Sequence, residues 1–127
     1  MAPKSGFEPL SGGEHPYSLS IARNGDGVTL ALSGEIDIAN AKAFADEVHS
    51  LVEGTDGQVT LDLQNCLFID STGIRALVTL AQEQLGRGRT LKLSGVTGEP
   101  RRVLELTGLL DSDLVASDSG KDQGRQP

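Results

Sequence analysis

The stretch Leu61–Leu85, LDLQNCLFIDSTGIRALVTLAQEQL, decides the fold of this chain because its apolar period changes halfway along. At its start, over Val59–Leu63, apolar and polar residues alternate, which is the period of a strand with one buried face. Further on, apolar residues recur every three or four positions, as on the buried stripe of a helix. These residues are Ile74, Leu77, Val78, Ala81 and Leu85. The stretch therefore predicts a strand, a short loop and a helix that begins near Ser71 and ends before Gly86.

The segment Asp70–Gly73 places a carboxylate and two hydroxyls where this helix begins. The first amides of a helix have no partner within it, and the aligned peptide dipoles leave partial positive charge there. One interpretation is that Asp70 or Ser71 is an N-cap, which stabilises a helix by about 1 kcal/mol. The other is that Ser71 is a phosphorylation site, because a helix start tolerates the roughly two negative charges of a phosphate. Periodicity alone does not distinguish the two interpretations.

The remainder of the chain continues the alternation of strands and helices. A β-hairpin is predicted first, because the turn Asn24–Gly27 separates two alternating segments. A helix then follows Asp37, which is predicted to cap it or to lie in its first turn. The predicted strands are Tyr17–Arg23, Val28–Leu32, Val59–Leu63, Thr90–Ser94 and Leu114–Ala116, and the predicted helices are Ala39–Glu53, Ser71–Leu85 and Pro100–Thr107.

The order of these elements predicts an α/β fold built from a β-hairpin followed by βαβ units. Strands joined by helices are expected to be parallel, with right-handed crossovers, so the sheet is mixed and mostly parallel. The strands alternate instead of being apolar throughout, which indicates that the main helices cover one face only. Residues 17–116 form the predicted domain, and the polar, Gly- and Pro-containing segments 1–16 and 117–127 are predicted to be disordered tails.

The bulk composition narrows the class of partner. The chain has 127 residues, a net charge of −7 and a pI near 4.7. This charge argues against nucleic acid and anionic membranes and favours a protein partner. Cys66 is the only cysteine and is predicted to be a buried structural thiol. Since the chain has neither a signal-peptide pattern nor an apolar run of about 20 residues, we expect a cytoplasmic protein.

Nothing in the spacing of the polar residues predicts an enzyme. The two histidines, His15 and His49, and the single cysteine lack the spacing of a metal site. The chain contains neither phosphate-binding glycine motif, and no Gly-x-Ser-x-Gly surrounds Ser71. Glu35, Asp37, Asp62 and Asp70 could form an acid–base pair, but a chain with 18 acidic residues is expected to contain such clusters by chance. We therefore expect no catalytic residue, no metal and no cofactor.

Four motifs follow one another along the chain: LSGEID at 32–37, VTLDL at 59–63, FIDSTG at 68–73 and VLELTGL at 103–109. Together they resemble the STAS family, and specifically its stand-alone bacterial anti-sigma factor antagonists. The resemblance covers residues 17–116. Members of the family commonly carry a further helix after the last strand, but residues 117–127 show no apolar periodicity that would support one.

The resemblance implies a partner-switching regulator of transcription, as in a stress response. In that family the unphosphorylated protein binds an anti-sigma factor, usually also a serine kinase, and so releases a sigma factor. A serine phosphatase reverses the phosphorylation that ends this binding. By motif match, Ser71 is the phosphoacceptor, Asp70 and Thr72 flank it in the interface, and Gly73 permits close approach of the partner. Glu35 and Asp37 lie on the family's Gly-Glu-x-Asp segment near the same surface.

The same resemblance leaves a second function open. A STAS domain can serve as a subunit of a lipid-transport ABC complex or as a stressosome-like scaffold. In either case Ser71 would not be a switch.

Overall fold

A six-stranded sheet and three α-helices make up residues 8–9 and 17–117, which are the residues that the computed structural model describes. A single 3-10 turn at Leu109–Asp111 joins the last helix to the last strand. The strands are β1 Glu8–Pro9, β2 Tyr17–Asn24, β3 Gly27–Ile36, β4 Val59–Ile69, β5 Leu91–Ser94 and β6 Val115–Ser117. The helices are α1 Ala41–Glu53, α2 Ser71–Gly86 and α3 Gly98–Leu106.

The strands lie in the sheet in the order in which they occur in the sequence, β1 to β6. The first three are antiparallel neighbours, and β3 to β6 are parallel. The β2–β3 hairpin closes where Asn24 pairs with Gly27, and the turn uses Gly25 at a φ of +61°, a conformation that glycine adopts without a steric penalty. The predicted hairpin followed by parallel βαβ units is confirmed.

One face of the sheet carries the hydrophobic core. Leu30, Leu61 and Leu93 are register neighbours across β3, β4 and β5, and all are fully buried. Phe44 of α1, Leu77 of α2 and Leu104 of α3 belong to the same buried cluster. The side chains that point to the opposite face of the central strands are mostly small or polar, and most are only partly buried. The helices therefore pack on one face, as predicted. Each aliphatic side chain that is fully buried between helices and sheet stabilises the folded state by about 1.5–3 kcal/mol.

The central strands are longer than predicted. Strand β4 runs to Ile69 and not to Leu63. Most of the residues predicted as a loop before α2 therefore belong to this strand. The register between β3 and β4 shifts twice, between Ala31 and Ser33 and again at Gly34 and Glu35. Each shift places an extra residue in β4 and interrupts the alternation of buried and exposed side chains. Because alternation was the basis of the prediction, it ended the strand at the first irregularity.

Two helix predictions also need correction. Helix α1 begins at Ala41 and not at Ala39, because Asn40 occupies the N-cap position. On α2, the predicted stripe is right at Ile74, Leu77 and Ala81, but Leu85 is 47% exposed. The buried side of α2 instead continues through Leu80 and Gln84. The helix turns its last apolar residue outward because a polar residue, Gln84, occupies the inner position at that level.

The chain ends differ from the prediction at three residues. Glu8–Pro9 pairs with Ile21 and Ser20 of β2, and Ser117 pairs with Leu93 of β5. Two- and three-residue edge strands are too short to leave a periodic pattern, so the sequence analysis did not predict their full extent. The rest of the predicted tails, residues 1–7, 10–16 and 118–127, lies outside the described residues.

Candidate functional site

The carboxyl ends of β3 and β4 lie side by side and carry the residues that the sequence singled out. Ile36 is the register partner of Ile69, and the Asp70 amide donates to the Ile36 carbonyl at 3.1 Å. We call the surface formed by residues 35–38 and 67–73 the Ser71 rim. The carboxyl edge of parallel strands is where α/β folds usually place their functional groups.

Asp70 is the N-cap of α2. Its Oδ1 atom accepts hydrogen bonds from the Thr72 amide at 2.9 Å, the Gly73 amide at 3.2 Å and the Thr72 hydroxyl. The Ile38 amide, in the loop between β3 and α1, adds to the electrostatic stabilisation of this carboxylate. The Thr72 hydroxyl, followed by these amides, lowers the pKa of Asp70 despite the opposing effect of partial burial. Asp70 is therefore committed to holding the rim together.

Ser71 is the first residue of α2 and is exposed. Its hydroxyl forms no hydrogen bond to another residue within 8–9 and 17–117, in contrast to Asp70 beside it. The structure thus identifies Asp70 as the cap and leaves Ser71 exposed, and phosphorylation of Ser71 stays a prediction. This hydroxyl is accessible to a modifying enzyme.

The other two residues of the motif point inward. Thr72 is half-buried and its hydroxyl bonds to Asp70. Gly73 is buried, and a Cβ atom there would lie 2.5 Å from Ile69 Cγ1 and 2.8 Å from Ile36 Cγ2. Packing inside the protein therefore already requires glycine here, and the expectation that Gly73 permits close approach of a partner stays a prediction. Only glycine lets α2 pack this closely on the ends of β3 and β4.

The two acidic residues predicted on this surface have different surroundings. Glu35 is exposed and lies opposite Phe68 in the register of β3 and β4. The Asp37 carboxylate accepts a bond from the Ala39 amide at 2.9 Å, and the Asp37 amide donates to Asn40 Oδ1. Asp37 therefore stabilises the turn before α1 and is neither its cap nor part of its first turn, a correction that follows from Asn40 holding the N-cap position.

Three apolar residues on the Ser71 rim were missed by the sequence analysis. Ile38 is 78% exposed, Leu67 66% and Phe68 38%. All three lie on the two segments that form the rim, and exposed apolar residues of this kind are common in protein-binding sites. Ile38 is the single large apolar residue between Asp37 and Ala39, and Leu67 and Phe68 follow the break in alternation along β4. The apolar pattern therefore does not indicate that any of the three is exposed.

Cys66 adjoins the rim but faces the interior. It is buried, and its Sγ atom donates to the Phe68 carbonyl at 3.6 Å. Burial raises the pKa of the thiol to about 11, against a smaller lowering effect of that hydrogen bond. The prediction of a buried thiol is confirmed, and the sulfur stays protonated at neutral pH.

Among the residues that the structure describes, no helix has both the length and the apolar character needed to cross a bilayer.

The sequence was compared with protein families and with individual known proteins. Residues 19–116 match the family described as "Mlab, STAS domain". The chain is 27% identical over 105 residues to the anti-sigma-B factor antagonist of Bacillus subtilis, covering 81% of this chain and 94% of that protein. It is 30% identical over 93 residues to BtrV of Bordetella bronchiseptica, which is assigned by name to the anti-sigma factor antagonists, with 72% and 80% covered.

A solved structure has the same fold. The crystal structure of an anti-sigma factor antagonist from Mycobacterium paratuberculosis superposes with a TM-score of 0.72 at 23% identity, covering 90% of this chain and 94% of that one. The protein belongs to the STAS domain family, in which these relatives are anti-sigma factor antagonists.

Proposed function

We propose that this protein is an anti-sigma factor antagonist whose binding to an anti-sigma factor ends when Ser71 is phosphorylated. The observation that carries the proposal is the exposed hydroxyl of Ser71, which has no hydrogen bond within the described chain, beside Asp70, whose Oδ1 atom accepts the capping bonds of α2. A group attached to Ser71 Oγ projects into solvent and breaks no bond of the cap. The scaffold can therefore keep its structure while the surface changes.

The chemistry of the rim supports a protein as the partner. Ile38 and Phe68 offer exposed apolar surface, and Glu35 adds a charged group on the strand beside Phe68. Apolar anchors surrounded by polar groups are the usual composition of a protein interface. The net charge of −7 opposes nucleic acid at the same surface.

Phosphorylation would act on this surface through charge. A phosphate brings about two negative charges to a rim that already holds Glu35, Asp37 and Asp70. A partner that packs closely there would have to desolvate this added charge, which costs binding free energy. Binding therefore ends although the fold persists.

The proposal implies two enzymes as further partners. A kinase, in the simplest case the anti-sigma factor itself, transfers the phosphate, and a serine phosphatase removes it. The protein has no catalytic role in this scheme and needs no cofactor, and its place is the cytoplasm, where sigma factors act.

The test compares Ser71→Ala and Ser71→Glu in binding to candidate anti-sigma factors by isothermal titration calorimetry. Ser71→Ala should bind within about threefold of the parent, whereas Ser71→Glu should bind at least about tenfold more weakly. Ser50→Glu is the matched control, because it adds the same charge to an exposed serine on α1. Equal affinities for Ser71→Ala and Ser71→Glu would contradict the switch.

Incubation with the same candidates and ATP, followed by mass spectrometry, identifies the modified residue. Phosphate on Ser71 supports the proposal. Phosphate at another residue only, or on none with every candidate that binds, would instead favour a non-switching STAS subunit of a lipid-transport ABC complex or a stressosome-like scaffold.

A further inference from the structure

Arg75 is an exposed cation on the same side of α2 as Ser71. It follows Ser71 by four residues within one continuous helix, and residues at this spacing are neighbours on a helix surface. Its guanidinium forms no ion pair or hydrogen bond to any residue within the described ranges 8–9 and 17–117. The guanidinium is therefore available to pair with an anion that is added to the protein later.

Most other arginines of the folded region are committed. Arg87 and Arg89 donate to main-chain carbonyls near the end of α1, at Val52 and Thr55. Arg101 pairs with Glu105, and Arg102 with Glu99, along α3. Arg23, exposed at the end of β2 by the hairpin turn, is the other arginine without a recorded partner among the described residues, and it lies at the opposite end of the sheet from Ser71.

We infer that Arg75 is the intramolecular counter-ion of a phosphate on Ser71. This inference rests on the proposed phosphorylation of that residue. An anion four residues before a cation is the favourable order along a helix, since it also agrees with the helix dipole. The guanidinium presents several N–H donors, which suit phosphate oxygens.

Two of the amides at the start of α2 are not available for this purpose. The Thr72 and Gly73 amides already donate to the Asp70 carboxylate, so a phosphate on Ser71 finds these two donors occupied. Asp70 would repel the phosphate from one side. Near the start of α1, the nearest lysine in sequence to the rim, Lys42, is paired with Asp46 at 3.1 Å. Arg75 is therefore the cation that the local structure leaves available.

Pairing with Arg75 has two consequences for the switch. It favours the doubly charged phosphate, whose second pKa is ordinarily near 6. It also holds the phosphate along the surface of α2, beside the rim that the partner would contact. Arg75 is thus a positioning residue for the modified state and has no effect on the Ser71 hydroxyl itself.

The experiment measures the second pKa of the phosphate by ³¹P NMR titration, with phosphoserine installed at position 71 by genetic encoding. Arg75→Gln should raise this pKa by about 0.2–0.4 units relative to the parent, the size of an exposed pair at this spacing. The matched control is Arg23→Gln, which makes the same charge change at the far end of the sheet and should shift the pKa by less than about 0.1 unit. In 1 M NaCl the Arg75→Gln effect should shrink, because salt screens exposed charges.

Equal titration of the parent and Arg75→Gln, or an equal shift in Arg23→Gln, would overturn the role of Arg75. This readout needs no kinase or partner, because the phosphate is installed directly. A failure here therefore leaves the binding and kinase experiments on Ser71 to decide the proposed function separately.

Discussion

The two ends of helix α2 differ in how their polar side chains are bonded. At its carboxyl end, Arg87 and Arg89 reach across to the last turn of α1 and the loop after it, where Arg89 Nη2 donates to the Thr55 carbonyl at 3.2 Å and Nη1 to the Asp56 carbonyl. Arg89 also donates to Gln84 Oε1. At its amino end, Asp70 Oδ1 accepts the capping hydrogen bonds, but the side chains of its neighbour Ser71 and of the nearby Arg75 have no hydrogen-bond or ion-pair partner in the described chain.

The contrast separates residues that hold the fold from residues that are available for regulation. A polar group with its hydrogen bonds filled cannot change partner without loss of stability. An exposed hydroxyl with none can be modified at little energetic cost. Only the amino end of α2 combines both kinds of residue side by side, which is what a reversible surface change requires.

The strongest test of this contrast substitutes a glycine at each end of α2. Gly73→Ala should lower the free energy of unfolding by about 1–3 kcal/mol, because its Cβ would overlap Ile69 and Ile36. Urea denaturation followed by circular dichroism measures the change.

The matched control is Gly86→Ala at the last residue of α2, where a Cβ meets nothing within 4 Å. This variant should be as stable as the parent or more stable by up to about 1 kcal/mol. If the two substitutions had equal effects, the close packing at the amino end would not limit the choice of residue there.

A second, smaller difference is expected between the arginines. Arg89→Met removes the bonds to the Thr55 and Asp56 carbonyls and should cost about 1–2 kcal/mol. Arg75→Met removes the same charge with no recorded bond and should change stability by no more than about 0.5 kcal/mol. Both are measured by urea denaturation at pH 7. A loss for Arg75→Met as large as that for Arg89→Met would mean that Arg75 is committed within the fold.

The smallest expected effect is the pH dependence due to Asp70. Hydrogen bonds lower its pKa in the folded protein, so its contribution to stability is present above the unfolded value of about 3.9. That contribution is lost as the pH falls through the lower folded-state pKa. The free energy of unfolding of the parent should therefore fall more steeply between pH 5 and pH 2 than that of Asp70→Asn.

Arg89→Met provides the comparison for this measurement, since arginine stays charged over the whole range. It should follow the pH profile of the parent at a lower stability. An identical profile for the parent and Asp70→Asn would contradict the lowered pKa.

Some features of the fold could be predicted from local pattern and some could not. The alternation at Tyr17–Asn24 and the stripe through Ile74 and Leu77 were sufficient for the hairpin and for α2. The end of β4 was not predictable in this way, because register shifts against β3 break the alternation beyond Leu63. The exposure of Leu85 depends on its neighbour Gln84 being turned inward, which no apolar period indicates.

The candidate site divides in the same manner. Ser71 and Asp70 were found from their position at a helix start and from the family motif. Which of the two caps the helix was not predictable, since either residue type can do so. Ile38 and Phe68 were missed, because a large apolar residue gives no sequence signal of exposure when its segment has no period.

By itself, the sequence determined the order and type of the main strands and helices, that the central strands are buried on one face, and that a serine stands at the start of α2. These properties follow from short-range periodicity and backbone chemistry, which depend only on neighbours along the chain. The tertiary structure decided which residue of the Asp70–Gly73 segment is engaged, which is packed inside and which is exposed. Those outcomes depend on Ile36 and Ile69, which reach the segment only when β3 and β4 pair and α2 packs across their ends.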